Sequence, residues 1–184
     1  MRFRYGHDTF DSSPGPGGAG ADVRTTLTAA PALVLGFGNV LLSDDGAGIR
    51  LIERLRSEMD AESAEFIDGG TLSFSLLPYV EASNSMLVVD AADLDAIPGT
   101  IGLFEDAAMD DFLKSSRRRT VHEVGLIDLL DMARLRDCLP SRRALLCIQP
   151  GRIDWSEALS APVAEAMPEA ARQARSTLQR WRGT

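Results

Sequence analysis

Cysteine is scarce in this chain of 184 residues: only Cys138 and Cys147 occur, and they do not form a CxxC pair. That composition excludes a disulfide scaffold and a cysteine zinc site, and it suits a reducing cytoplasm. Positive charge is also in short supply, with 19 Lys and Arg against 27 Asp and Glu, a formal net charge of −8 and a pI near 4.8. A surface of that sign disfavours a phosphate backbone, so nucleic acid is not an expected partner. No apolar stretch reaches the ~20 residues needed to span a bilayer. The opening residues, from "MRFRYGHDTF" through Gly20, lack the apolar centre of a secretory signal, so the expectation is a soluble, cytoplasmic protein without membrane insertion. Two motifs are missing as well. "GFGN" at residues 36–39 does not complete G-x-G-x-x-G, because Leu41 stands where the last glycine belongs, and no G-x-S-x-G elbow occurs. Nicotinamide and serine-hydrolase chemistry therefore lack support.

What is present is a core. A 45% hydrophobic composition at this length supports one folded domain. Residues 1–31 read as a flexible N-terminal extension, since "SPGPGGAGAD" is rich in turn formers and poor in apolar side chains, and the domain is expected over 32–184. His7 falls in the extension, where it reads as a solvated side chain. From Ala32 the chain alternates short apolar runs with amphipathic ones. "ALVLGF", "AEFIDGG", "SMLVVDAAD", "GTIGLF" and "RALLCIQP" read as five strands. Helical spacing is found over 46–59, in "SFSLLPYVEA" with an interruption or kink at Pro78, over 107–114, over 123–136, and from about Pro162 to Trp181 with a possible break at Pro168. Strands separated by helices predict a three-layer αβα sandwich around a mostly parallel five-stranded sheet. Trp155 and Trp181 read as packing or surface-anchor residues.

In such a sheet, sites form beyond the carboxyl ends of the strands, and acids stand at three of those ends. Asp44 and Asp45 follow the first strand, Asp68 ends the second and Asp90 ends the third. Each has a local alternative: Asp44 or Asp45 accepting amide hydrogen bonds at the helix start near Gly46, Asp68 fixing the turn before Gly69 and Gly70, Asp90 shaping a turn. The pair with reach into one crevice is Asp45 and Asp90, with Asp44 supporting the loop or helix start. His122 adds an imidazole. Thr120 and Glu123 have capping-box spacing, which puts His122 in the first turn of a helix, where the terminus disfavours protonation. Two carboxylates and a neutral imidazole suit a borderline divalent ion, or general acid–base work, without identifying the ion.

The ordered set "LGFGNVLLSDDGAG", "DGGT", "LVVDAAD" and "HEVGLIDLL", followed by "CIQP", resembles the hydrogenase maturation endopeptidases, the processing proteases of nickel-iron hydrogenase large subunits, over roughly residues 32–181. The resemblance implies an αβα fold and removal of a C-terminal peptide from the immature large subunit once nickel has been inserted. It matches the family's first carboxylate to Asp45, where many members have glutamate, its second to Asp90 and its histidine to His122, as the catalytic and metal-contacting set. It matches Gly36, Gly38 and Asn39 to the first loop and Gly69, Gly70 and Thr71 to the second, as cleft-shaping residues. The implied nickel is brought by the precursor, not held permanently. Two other classes stay open at this stage: a different metal-dependent hydrolase with its own ion, and a non-catalytic maturation chaperone.

Overall fold

The computed structural model describes residues 32–60, 62–70, 74–115 and 121–183. The N-terminal extension with His7, Thr71 and Thr120 lie outside these, as do the side chains of His122 and Glu123.

The first strand, β1 (Ala32–Phe37), is buried along its whole length. A 3-10 turn (Ser43–Gly46) follows and runs into helix α1 (Ala47–Glu58), then strand β2 (Ala64–Gly70). A second 3-10 turn (Phe74–Leu76) leads to the short helix α2 (Leu77–Glu81), whose Pro78 lies in the first turn, where a missing N–H costs nothing. Pro78 therefore starts the helix instead of kinking it. Strand β3 (Ser85–Ala91), buried throughout, strand β4 (Ile101–Glu105), helices α3 (Ala107–Ser115) and α4 (Val121–Leu135), strand β5 (Arg142–Ile148) and helix α5 (Ala161–Arg182) complete the order.

The five strands form one sheet in the order β2-β1-β3-β5-β4. Neighbours are parallel except β4, which runs antiparallel to β5 at the edge. Period-two alternation sorts the strand side chains onto two faces. Val34, Leu87, Val89, Leu146 and Ile148 join α1 and α5 in one core layer. Leu33, Leu35, Phe37, Met86, Val88, Leu145 and Cys147 join α2, α3 and α4 in the other. The result is the expected αβα sandwich.

Helix α5 runs unbroken through Pro168, contrary to the break the sequence suggested. Its buried stripe of Val163, Met167, Ala170, Ala171, Ala174 and Leu178 continues across that point, while Pro168 itself faces solvent. Water can satisfy the carbonyl that the proline leaves unbonded, so packing on the other face holds the helix together. On the opposite layer, the carboxylate of Asp110 on α3 accepts from Arg143 of β5 at 2.6 Å and from Arg134 of α4 at 2.8 Å. Burial would raise the pKa of Asp110, but the two guanidiniums outweigh it and hold the carboxyl below its ordinary value.

Candidate active site at the strand carboxyl ends

Strand β1 connects to β2 on one side of it and pairs with β3 on the other, so the order reverses between β1 and β3. The crevice beyond the carboxyl ends of these two strands is the topological switch point of the sheet. Helix α1 is drawn tightly into it. A Cβ on Gly48 would lie 2.3 Å from the Phe37 carbonyl and 2.5 Å from that of Val89, so only glycine lets the helix start between the two strand ends.

One turn earlier stands Asp45. It is 7% exposed, and its Oδ2 accepts the Asn39 amide at 2.9 Å. Gly38 makes this approach possible. Its φ is +132°, and a Cβ there would come within 2.0 Å of the Asp45 carbonyl oxygen. Gly38→Ala is therefore expected to lose about 3 kcal/mol or more and to abolish activity by displacing Asp45, as thermal unfolding and a processing assay would show. The Gly38 amide in turn donates to the Gly70 carbonyl at 3.1 Å, joining the first loop to the second. Gly70 has φ +52°, and its amide donates to Asp68 Oδ1 at 2.8 Å, the turn role expected of that exposed acid. Gly69 is buried against the Phe37 ring, and Gly36 against Ile52 of α1.

Asp90 is 3% exposed and aligns with Cys147 across β3 and β5. Its Oδ1 accepts the Ala91 amide at 2.8 Å. The strand extends one residue beyond it, to Ala91. Alternation from Met86 and Val88 places Asp90 on the layer of α2 and α4, one residue past Val89, which α1 abuts from the other layer. Asp90 thus stands at the β3 side of the crevice, and Asp45 in the turn just before α1 enters it.

The backbone of α4 brings His122 to the same end. The C-terminal part of α4 lies at the amino edge of the sheet, where Arg136, just beyond the helix, pairs with Glu81 of α2, and Arg142 N of β5 bonds Asn84. Because α4 runs antiparallel to β5, its first turn stands toward the carboxyl edge. Among the described residues no three His, Cys, Asp or Glu side chains are grouped to hold a metal ion, a set that does not include the His122 side chain.

Asp44 has the structural, loop-supporting task expected of it, but not at the start of α1. It does not cap α1, whose N-cap, Gly46, has no side-chain cap bond. Its Oδ2 accepts Gly151 N at 2.8 Å, Arg152 N at 3.0 Å and Ser160 Oγ at 2.7 Å, while Oδ1 accepts Ser160 N at 2.6 Å. Ser160 is the N-cap of α5, so Asp44 serves a helix start far away in sequence. Burial would raise its pKa. The Ser160 hydroxyl and three amides outweigh burial and hold the carboxyl below its ordinary value. Beside it, fully buried Ser43, at φ 54°, donates to the Ala158 carbonyl at 2.9 Å and accepts from Arg152 Nε at 3.0 Å. Sequence reasoning missed Ser43, Gly151, Arg152 and Ser160. The available signal was the Ser160-Ala161-Pro162 helix start, which marks a cap without naming its long-range partner.

Comparison with known proteins points one way. The model of the family described as hydrogenase maturation protease matches residues 49–177, a span that includes Asp90 and His122 and begins four residues after Asp45. The hydrogenase expression/formation protein HupD of Rhodobacter capsulatus is 35% identical over 152 residues, 81% of this chain and 71% of that protein. The hydrogenase 2 maturation protease of Escherichia coli is 30% identical over 141 residues, 76% of this chain and 84% of that one. Among solved structures, the hydrogenase maturating endopeptidase HybD from E. coli superposes with a TM-score of 0.74 at 26% identity, covering 82% of this chain and 93% of that chain. With the switch-point crevice and its buried acids, these likenesses mean that the chain belongs to the hydrogenase maturation protease family and is an endopeptidase.

Proposed function

We propose that this endopeptidase removes the C-terminal extension of an immature nickel-iron hydrogenase large subunit, and that nickel already seated in that precursor licenses the cut. The observation that carries the reading is the pair of buried acids at the switch-point crevice, Asp45 in the turn after β1 and Asp90 near the end of β3, in a chain of this family. Asp45 and Asp90 supply carboxylate oxygen and His122 supplies imidazole nitrogen to the nickel that arrives with the substrate. That contact fixes the scissile bond in the crevice, where orientation lowers the barrier. Hydrolysis then needs a water to lose a proton as it attacks the carbonyl and the departing amine to gain one. A carboxylate at this position can carry that proton. Aspartate at position 45, one methylene shorter than glutamate, keeps the oxygen donor but shortens its reach.

Two measurements test the reading. The purified protein is expected to bind nickel-loaded precursor more tightly than nickel-free precursor, and equal affinities would remove substrate metal as the signal. His122→Ala is expected to slow processing by on the order of 100-fold while circular dichroism and thermal unfolding stay unchanged. An unaltered cleavage rate would take His122 out of the essential set.

A further inference from the structure

The segment after β5 presents an apolar surface that the chemistry described so far does not use. Trp155 is 82% exposed and Ile153 is 53% exposed, and Leu41 on the loop after β1 is 46% exposed. Hydrogen bonds join the two loops: Ser156 N donates to Leu41 O at 3.0 Å, and Ser43 N donates to Ser156 O at 2.6 Å. Ile97, also exposed, is brought alongside on the connection after β3. There Gln149 Oε1 accepts Leu94 N at 2.6 Å, and Gly151 lies against Pro98.

Single exposed apolar side chains are ordinary, but several brought together on loops that are tied to each other mark an interaction surface. These loops are tied. The buried carboxylate of Asp44 and the buried hydroxyl of Ser43 hold the backbone after β5 at Gly151, Arg152, Ala158 and Ser160, so Trp155 and Ile153 are presented in a fixed arrangement. The same anchors lie next to Asp45 in sequence. Asp95, Asp154 and Glu157 are exposed around the patch, and Arg152 is paired with Asp154 at 3.6 Å.

We infer that Leu41, Ile153 and Trp155 form the docking surface for the substrate polypeptide flanking the scissile bond. The inference rests on the function proposed above. The surface is continuous with the crevice through the Leu41–Asp45 loop, so a chain leaving the carboxylates on that side runs onto it. Its apolar centre fits a segment with apolar side chains, and a rim of Asp95, Asp154 and Glu157 against Arg152 and Arg50 leaves a small acidic excess that favours basic over acidic ones. A pre-organised aromatic anchor contributes affinity without the cost of ordering it on binding.

The test uses the full chain and nickel-loaded precursor. Trp155→Ser and Ile153→Ser are each expected to raise KM about tenfold with kcat at saturating precursor unchanged, the size of a central interface contact. Leu135→Ser, altering a residue 85% exposed at the far end of α4, is the control and is expected to leave both constants alone. The emission of wild-type protein, less that of Trp155→Phe, is expected to shift to the blue when precursor is added. An unchanged KM, a fall in kcat alone, or an equal effect of Leu135→Ser would overturn the docking surface while wild-type cleavage left the proposed function standing. Dissociation of a dimer by Trp155→Ser, with KM unchanged, would assign the patch to a second copy of the chain and likewise overturn it. Absence of cleavage by the wild-type protein would overturn both readings.

Discussion

Asp45→Asn and Asp90→Asn are each expected to slow nickel-dependent processing by on the order of 100-fold without unfolding the domain. The substitution keeps size and keeps one acceptor. Asparagine can still take the Asn39 amide at position 45 and the Ala91 amide at position 90, the contacts that hold these side chains locally. What it removes is the negative charge, and with it both the affinity of oxygen for a divalent ion and the capacity to carry a proton. Loss of the precursor's C-terminal peptide, followed by gel mobility alongside circular dichroism, separates chemistry from folding. If both variants processed at the wild-type rate, the acid pair would be wrongly assigned even though the family membership would remain.

The neighbouring acid is expected to behave in the opposite way. Asp44→Ala should cost about 3 kcal/mol, a fall of about 10 °C in melting temperature, because it removes a buried carboxylate that accepts four hydrogen bonds from part-buried donors. Those donors are three amides and the Ser160 hydroxyl. Asp44→Asn is not a mild change here either. Donors approach both carboxylate oxygens, so an amide NH2 in either orientation would face another donor, at about 1–3 kcal/mol. The pH dependence follows from the lowered pKa of Asp44. With the folded value below the unfolded one of about 3.9, its stabilisation is complete above the unfolded value and is lost as pH falls through the folded value. Wild-type protein should therefore lose stability between about pH 5 and lower values more steeply than Asp44→Asn. Asp110, shifted the same way by Arg143 and Arg134, and Glu169, held down to about 2 by Arg172 and Gln173, contribute to the acid sensitivity that remains. Parallel pH profiles for wild type and variant would contradict this account of Asp44.

Adjacent acids with such different roles show where sequence reading succeeds and where it stops. The β1, β3 and β5 strands were legible because burial on both faces writes near-continuous apolar runs, and the amphipathic stretches between strands specify the helices that cross over the sheet. Asp90 was legible for the same reason, as the polar residue closing "MLVV". The order β2-β1-β3-β5-β4, which makes the β1–β3 gap the switch point, is not written in any local pattern. Nor is the function of Asp44, whose partners lie more than 100 residues away and depend on how the segment after β5 folds back over the first loop. Pro168 failed as a breaker because helix geometry there is decided by the buried stripe opposite it.

The central claim is a single cut made only once nickel is in place. Intact-mass measurement of the precursor, incubated with the purified protein in nickel-loaded and nickel-free forms, addresses it directly. The expected result is loss of one C-terminal peptide from the loaded form and an unchanged mass for the unloaded form. Unchanged mass for both forms, or equal cleavage of both, would contradict it.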